Sequence, residues 1–211
     1  MKKKQKLLHK LLKKLKSPTK HCIKCFKKIE ENNIISLAKS EYFLCNSCLY
    51  EKKTNFQSFV TNGVKCYSIY DYDEYIQTNL NLLKRCFDYE IRKLFLHPFE
   101  KEISIYFRGY ILVAVPSLIE DDKKRGFNHV EAIFSSLDLK YVKALEKIKN
   151  TKFRDHKTTK SEDTQYILQV NKISELKGKN VLLVDDVYVT GRTIKTCIGL
   201  IKQCDPKTIK V

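Results

Sequence analysis

The run Val181-Leu182-Leu183-Val184, followed at once by Asp185-Asp186 and then by Thr190-Gly191-Arg192-Thr193, restricts the fold more than any other stretch of the chain. Four uninterrupted apolar residues with a β-branched residue at each end suit a strand covered on both faces, as in a parallel sheet. Beyond the small-residue turn, Ile194, Cys197, Ile198 and Ile201 recur at helical spacing. Strand, acidic pair, turn and helix in that order put the turn at a helix N-terminus, where unpaired N–H groups and the positive end of the dipole favour a phosphate. Asp185 and Asp186 fall at the carboxyl edge of the strand, where open α/β sheets bind ligands. They can accept hydrogen bonds from ribose hydroxyls or hold Mg2+ through water. The plainer alternative is a strand end and a capped helix with no ligand.

A second constellation lies near the amino terminus. Cys22-x-x-Cys25 and Cys45-x-x-Cys48 are separated by residues 26–44, the spacing of a four-thiolate Zn2+ site made from two knuckles. Four thiolates leave no open coordination position, so such a zinc is structural, holding a small module together. His21 stands beside the first pair and reads as surface. Of eight cysteines, the other four are scattered, which fits a reducing cytoplasm and a metal site better than a disulfide framework.

Lys and Arg outnumber Asp and Glu by 41 to 24, a formal charge of +17. That excess favours polyanionic partners such as nucleic acid, or is simply a Lys-rich solubilising surface. In residues 1–16, Leu7, Leu8, Leu11, Leu12 and Leu15 recur at helical spacing among lysines. This basic amphipathic helix suits an anionic membrane, nucleic acid or an apolar surface of the protein, and it lacks the apolar length of a span or signal peptide.

Strands are expected over Val64–Tyr70, Tyr110–Val115, Val142–Ile148 and Tyr166–Val170, with helices over Tyr75–Asp88, over Tyr89–Phe107 broken at Pro98, and from Gly126-Phe127-Asn128 to Ser136. Residues 52–61 read as a polar connector and 149–165 as a polar loop, either a lid or a disordered connector. Strands alternating with helices predict an α/β domain with a mainly parallel sheet. The expected organisation is a basic helix over 1–19, a zinc module over 20–52 and the α/β domain over 62–211.

The segment Val184-Asp185-Asp186-Val187-Tyr188-Val189-Thr190-Gly191-Arg192-Thr193 resembles the phosphoribosyl pyrophosphate (PRPP) loop of type I phosphoribosyltransferases. The resemblance implies that Asp185 and Asp186 contact the ribose. It implies that Val189, Thr190, Gly191, Arg192 and Thr193 wrap the 5-phosphate, and that Mg2+ accompanies PRPP. Val189 stands where a second Thr is usual, so its backbone N–H is what remains. Val113-Ala114-Val115-Pro116 and Lys123-Lys124-Arg125-Gly126-Phe127-Asn128 narrow the resemblance to the ComF competence family, in which a Val-Pro-Val-Pro strand end leads into Arg-Gly-Phe-Asn-Gln. A Tyr-rich segment leading to a Lys-containing helix, Tyr70-Asp71-Tyr72 to Lys84, agrees with that order of elements. Ala114, Ser117 and His129 depart from the pattern.

Residues 20–211 carry this resemblance. It implies a sheet of the type I phosphoribosyltransferase kind behind a zinc module. Val115 and Pro116 would turn toward the ligand, and Arg125 with Lys123 and Lys124 would neutralise pyrophosphate. The alternative for Arg125 and Asn128 is structural, holding the loop through hydrogen bonds to backbone. Phe127 reads as core. The resemblance further implies a cytoplasmic DNA-uptake protein that binds PRPP and single-stranded DNA, the latter with help from aromatics such as Tyr67, Tyr70 and Tyr72. Its partners would be the competence helicase and the membrane DNA channel, with membrane association through residues 1–16. An active phosphoribosyltransferase releasing pyrophosphate is one alternative; a zinc-dependent nucleic-acid-binding protein without a small ligand is another. No residue is assigned a catalytic role. The chain has no Gly-x4-Gly-Lys-Ser/Thr loop, so any ATP-driven motor is a partner.

Overall fold

The computed structural model describes residues 21–29, 43–51, 54–149 and 166–211, which fall into two compact units, Met1–Lys52 and Lys53–Val211. The Leu-striped segment 1–16 and all but Lys149 of the expected polar loop over 149–165 lie outside the described residues, and Lys149 belongs to a strand. No helix among the described residues is long and apolar enough to cross a membrane.

In the first unit, residues 21–29 form a tight turn closed by the antiparallel bridge between His21 and Lys28. The Phe26 N–H donates to the Cys22 carbonyl at 2.9 Å, and Phe26 takes φ +58 to make the turn. Helix α1 (Asn46–Tyr50) starts directly after Cys45. The second Cys-x-x-Cys is therefore a helix start, where the knuckle spacing suggested another turn.

The second unit opens with strands β1 (Gln57–Thr61) and β2 (Val64–Ser68), paired antiparallel. Residues 57–61 are thus a strand where the polarity of 52–61 suggested a connector. The turn chemistry explains the difference: Asn62 and Gly63 both take positive φ, +50 and +74, as a two-residue hairpin requires. An exposed edge strand needs no apolar alternation to pair.

Helix α2 (Glu74–Arg85) is capped by Asp73, whose carboxylate accepts from the Ile76 N–H at 3.0 Å. After a 3-10 turn over Tyr89–Arg92 come α3 (Lys93–Leu96), a second 3-10 turn containing Pro98, and α4 (Glu100–Tyr106). The predicted break at Pro98 is present. Then follow β3 (Tyr110–Ala114), α5 (Ile119–Arg125) and α6 (His129–Phe134). Gly126 ends α5 at φ +85, a left-handed C-cap that a side chain would strain.

Next come β4 (Lys140–Tyr141), β5 (Leu145–Lys149), β6 (Tyr166–Val170), α7 (Ile173–Leu176), β7 (Asn180–Val184), α8 (Arg192–Lys202) and β8 (Thr208–Lys210). The main sheet has the order β1-β2-β8-β7-β3-β4, parallel at every pairing except β1 with β2. The stretch expected as one strand over Val142–Ile148 is divided. Its larger part, β5, pairs antiparallel with β6 in a separate two-stranded ribbon.

Strand β7 is central, and Val181 to Val184 are all buried. One face meets α8, with Val181, Leu183, Val113, Ile194, Cys197, Ile198 and Ile201 in a single core. The apolar period of α8 is therefore what covers the sheet, and the turn before α8 is fixed between two buried elements.

Candidate functional site

Strand β7 ends at Val184, so Asp185 and Asp186 leave the sheet at its carboxyl edge. Beside them, β3 is followed by Val115, whose N–H donates to the Val184 carbonyl at 2.8 Å. The two loops of the expected site are thus neighbours because β3 and β7 pair in parallel over Tyr110–Ala114 and Asn180–Val184.

Asp186 is the hub. Its side chain is 7% exposed, and it pairs with the Lys84 ammonium from the end of α2. On its other side, His129 Nε2 stands 3.6 Å from Asp186 Oδ1. The tautomer of His129 follows from its second neighbour. Arg125 Nη1 lies 3.2 Å from His129 Nδ1; a guanidinium only donates, so Nδ1 accepts and the ring proton sits on Nε2, toward Asp186. Burial alone would push Asp186 up, but His129 and the charge of Lys84 overrule it and hold the carboxyl well below its ordinary value. Asp185 moves the other way, pushed up by burial and by the negative Asp186 beside it. The pair therefore divides its labour, with one fixed anion and one carboxyl that takes up a proton readily.

Arg125 is committed to protein. Its guanidinium donates to the carbonyls of Lys84 (3.2 Å) and Phe127 (3.3 Å) and to Asp122 Oδ1 (3.2 Å). Asn128 caps α6 by accepting from the Glu131 N–H at 2.9 Å, and donates to Ser117 Oγ at 2.7 Å and Asp122 Oδ2 at 3.1 Å. Both side chains thus clamp the loop after Pro116 onto α2 and α6. Lys123 and Lys124 are exposed, and Phe127 packs edge-on against Tyr89 at 5.0 Å.

Residues 188–190 are exposed. Among the described residues, no protein acceptor takes the N–H of Val187, Tyr188, Val189, Thr190, Gly191 or Thr193; the Arg192 N–H makes a long contact to Thr190 Oγ1 at 3.4 Å. Gly191 takes φ +66, and a Cβ there would collide with the Tyr188 ring. Tyr188 is itself anchored: its hydroxyl donates to Thr61 Oγ1 at 3.3 Å, and its ring meets Phe59 at 4.8 Å. The turn is held from outside while its amides stay free, the condition for gripping an oxyanion at a helix start.

Lys84, His129 and Tyr188 are the residues that sequence reasoning left without a role at this site. Lys84 carried only a place in the order of elements, and His129 only a departure from a pattern. No local spacing links them to Asp186, because the fold alone brings α2 and α6 to the end of β7.

In the first unit the four sulfurs of Cys22, Cys25, Cys45 and Cys48 all lie within 4.8 Å of one another. A tetrahedral zinc with ~2.3 Å bonds separates its sulfurs by about 3.8 Å, close to the 3.6 Å between Cys25 and Cys45. The Ile23 N–H donates to the Phe43 carbonyl at 2.9 Å and so brings the two pairs together. Burial opposes ionisation of Cys22, but backbone N–H groups of Cys25, Cys45 and Lys24 around its sulfur pull it down to about 6. Cys48 is pushed up by burial and by the sulfurs beside it. Such a crowd of thiols suits a thiophilic dication, and the donor set fits Zn2+.

Residues 123–211 match the phosphoribosyl transferase domain. Over 195 residues, 90% of this chain and 83% of the relative, the sequence is 26% identical to competence protein ComFC of Streptococcus pneumoniae. Over 187 residues, 85% of this chain and 77% of the relative, it is 26% identical to competence protein ComFC of Bacillus subtilis. A shorter stretch of 39 residues, 18% of each chain, is 51% identical to hypoxanthine-guanine phosphoribosyltransferase of Mus musculus. The likeness to ComF proteins thus runs through most of the chain, and its carboxyl-terminal part is similar to the phosphoribosyl transferase domain.

Proposed function

We propose that this chain, of the ComF kind and with a phosphoribosyl transferase domain, binds PRPP and single-stranded DNA and serves DNA uptake in natural transformation. The observation that carries the PRPP half is the turn over 187–193, with free amides at the start of α8 and two carboxyl groups above it. Its amides and the hydroxyls of Thr190 and Thr193 meet the 5-phosphate. Asp185 and Asp186 meet the ribose hydroxyls. The loop of Val115 and Pro116, clamped by Arg125 and Asn128, borders the pyrophosphate. Asp186 is already engaged by Lys84 and His129, so a Mg2+ accompanying PRPP would draw little on this carboxylate.

Gly191→Ala tests this grip. A left-handed backbone costs a side chain about 1–2 kcal/mol, and the new methyl must also displace Tyr188. PRPP affinity is expected to fall by at least about tenfold while the circular dichroism spectrum of the variant stays that of the wild type. Unchanged affinity would argue that the phosphate sits elsewhere.

The DNA half rests on the +17 charge and on the similarity to ComFC. Anisotropy titrations of a labelled single strand at rising salt should show affinity falling steeply, as counterion release requires. Deletion of the gene should abolish transformability. Absence of DNA binding even at low salt would sink this half and leave PRPP binding untouched. The competence helicase and the membrane channel are the partners such a protein would serve.

A further inference from the structure

Strands β3, β7 and β8 run parallel, so the residues that lead into them gather at one edge of the sheet. That amino edge is the one opposite the turn after β7. Arg108 comes just before β3, Lys179 just before β7 and Lys207 just before β8, and all three are exposed. The Lys207 N–H donates to the Lys179 carbonyl at 2.9 Å, which ties two of these entries together. The adjoining sheet face adds to them. Val64, Ile111, Val181 and Ile209 pack into the core that α8 covers. By the two-residue period of a strand, Lys65, Tyr110, Asn180 and Lys210 therefore point to the opposite face, and Tyr67 joins them two residues after Lys65.

On that face cations and rings interleave. The Lys210 ammonium lies 5.2 to 5.9 Å from the ring centroids of Tyr67, Tyr106, Phe107 and Tyr110, and the Lys65 ammonium 5.3 Å from that of Tyr67. Tyr106, at the end of α4, is 59% exposed. Among the described residues, none of the five cations Lys65, Arg108, Lys179, Lys207 and Lys210 is in an ion pair. Like charges gathered without partners repel one another and gain the fold nothing, so their complement is a polyanion from outside. The rings narrow its class. A duplex keeps its base faces stacked inside, whereas a single strand offers phosphates to the cations and open base faces to the tyrosines.

We infer that the amino edge of the sheet, with Lys65, Lys210 and Tyr106 on the adjoining face, is the surface that binds single-stranded nucleic acid, at the end of the sheet away from the PRPP turn. The inference rests on the DNA half of the proposed function and gives it a location. Anisotropy titrations of a labelled oligothymidylate at rising salt test it with exposed residues only, so the thermal melting of every variant should match that of the wild type.

Lys65→Gln combined with Arg108→Gln removes two phosphate contacts and should lower the slope of log affinity against log salt by about 1.4. Tyr106→Ala should weaken the strand about fivefold or more, and Tyr106→Phe, which keeps the ring, should bind it as the wild type does. Lys195→Gln removes an exposed charge from α8, on the helix that covers the other face, and should leave the slope unchanged. A wild type that binds the strand while the double Gln variant and Tyr106→Ala both keep its affinity and slope overturns the surface and leaves the DNA reading standing. A slope lowered as much per charge by Lys195→Gln, or a duplex bound as tightly as the strand, overturns it too. A wild type without affinity for the strand at low salt removes the DNA reading itself, and the surface with it.

Discussion

Lys84→Met is expected to destabilise the protein by about 3 kcal/mol at neutral pH, as read by urea denaturation. The substitution keeps the length of the side chain but removes the cation paired with Asp186, a carboxylate only 7% exposed. Breaking a buried pair from one side strands the other charge, and that penalty exceeds the net worth of the intact pair. Lys84 is itself 31% exposed, which sets the figure at the lower end of the usual range for buried pairs. His129 still faces Asp186 from the other side.

The effect has a pH signature with a fixed sign. Asp186 is held below its ordinary 3.8 in the folded protein. It therefore contributes stability above the unfolded carboxyl range, and that contribution is lost as pH falls through its folded value. The gap between Lys84→Met and wild type should shrink as the solution is acidified, because a protonated Asp186 needs no cation. A gap that stays constant from neutral pH to pH ~3 would mean that Lys84 acts through packing. Because the pair also sits under the proposed ribose site, PRPP affinity should fall in the same variant.

The largest effect is expected from the metal. Stripping zinc with a chelator, or replacing Cys22 by Ser, should unfold the first unit. Among its described residues, the buried apolar set is Cys22, Leu44 and Cys48, too little to offset the entropy of ordering a chain. Binding of a structural zinc contributes on the order of 10 kcal/mol in small thiolate modules, so little of that unit should stay folded without it. Amide exchange should show residues 21–29 and 43–51 losing protection while β3, β7 and α8 keep theirs. Protection that survives metal removal across residues 21–29 and 43–51 would make the four-sulfur cluster incidental. Metal analysis of the purified protein, expected at one zinc per chain, is the companion measurement.

The parts of the molecule that the sequence discloses are those whose signals are local. Val181–Val184, the acids and the period of α8 specify a buried strand, a turn and a covering helix within one short stretch, and the helix begins at Arg192 as the Gly191 turn suggests. The spacing of the four cysteines is local in the same sense. Asn128 is readable as a cap because its partner, the Glu131 N–H, is three residues away. What escapes is long-range. Strand β1 hides in polar residues because an edge strand owes its place to a partner, although Asn62-Gly63 announces the hairpin. The antiparallel pairing of β5 with β6 cannot be told from membership of the main sheet by composition. Lys84 and His129 reach Asp186 from different helices, and only the packing of α2 and α6 brings them there.

Calorimetric titration of PRPP into the full chain, with and without Mg2+, bears most directly on the claim that the turn after β7 grips a ribose 5-phosphate. Saturable single-site binding is expected, strengthened by Mg2+ and abolished when Asp185 and Asp186 are both changed to Asn. Absence of heat at every PRPP concentration, or binding that survives the double substitution, would contradict it.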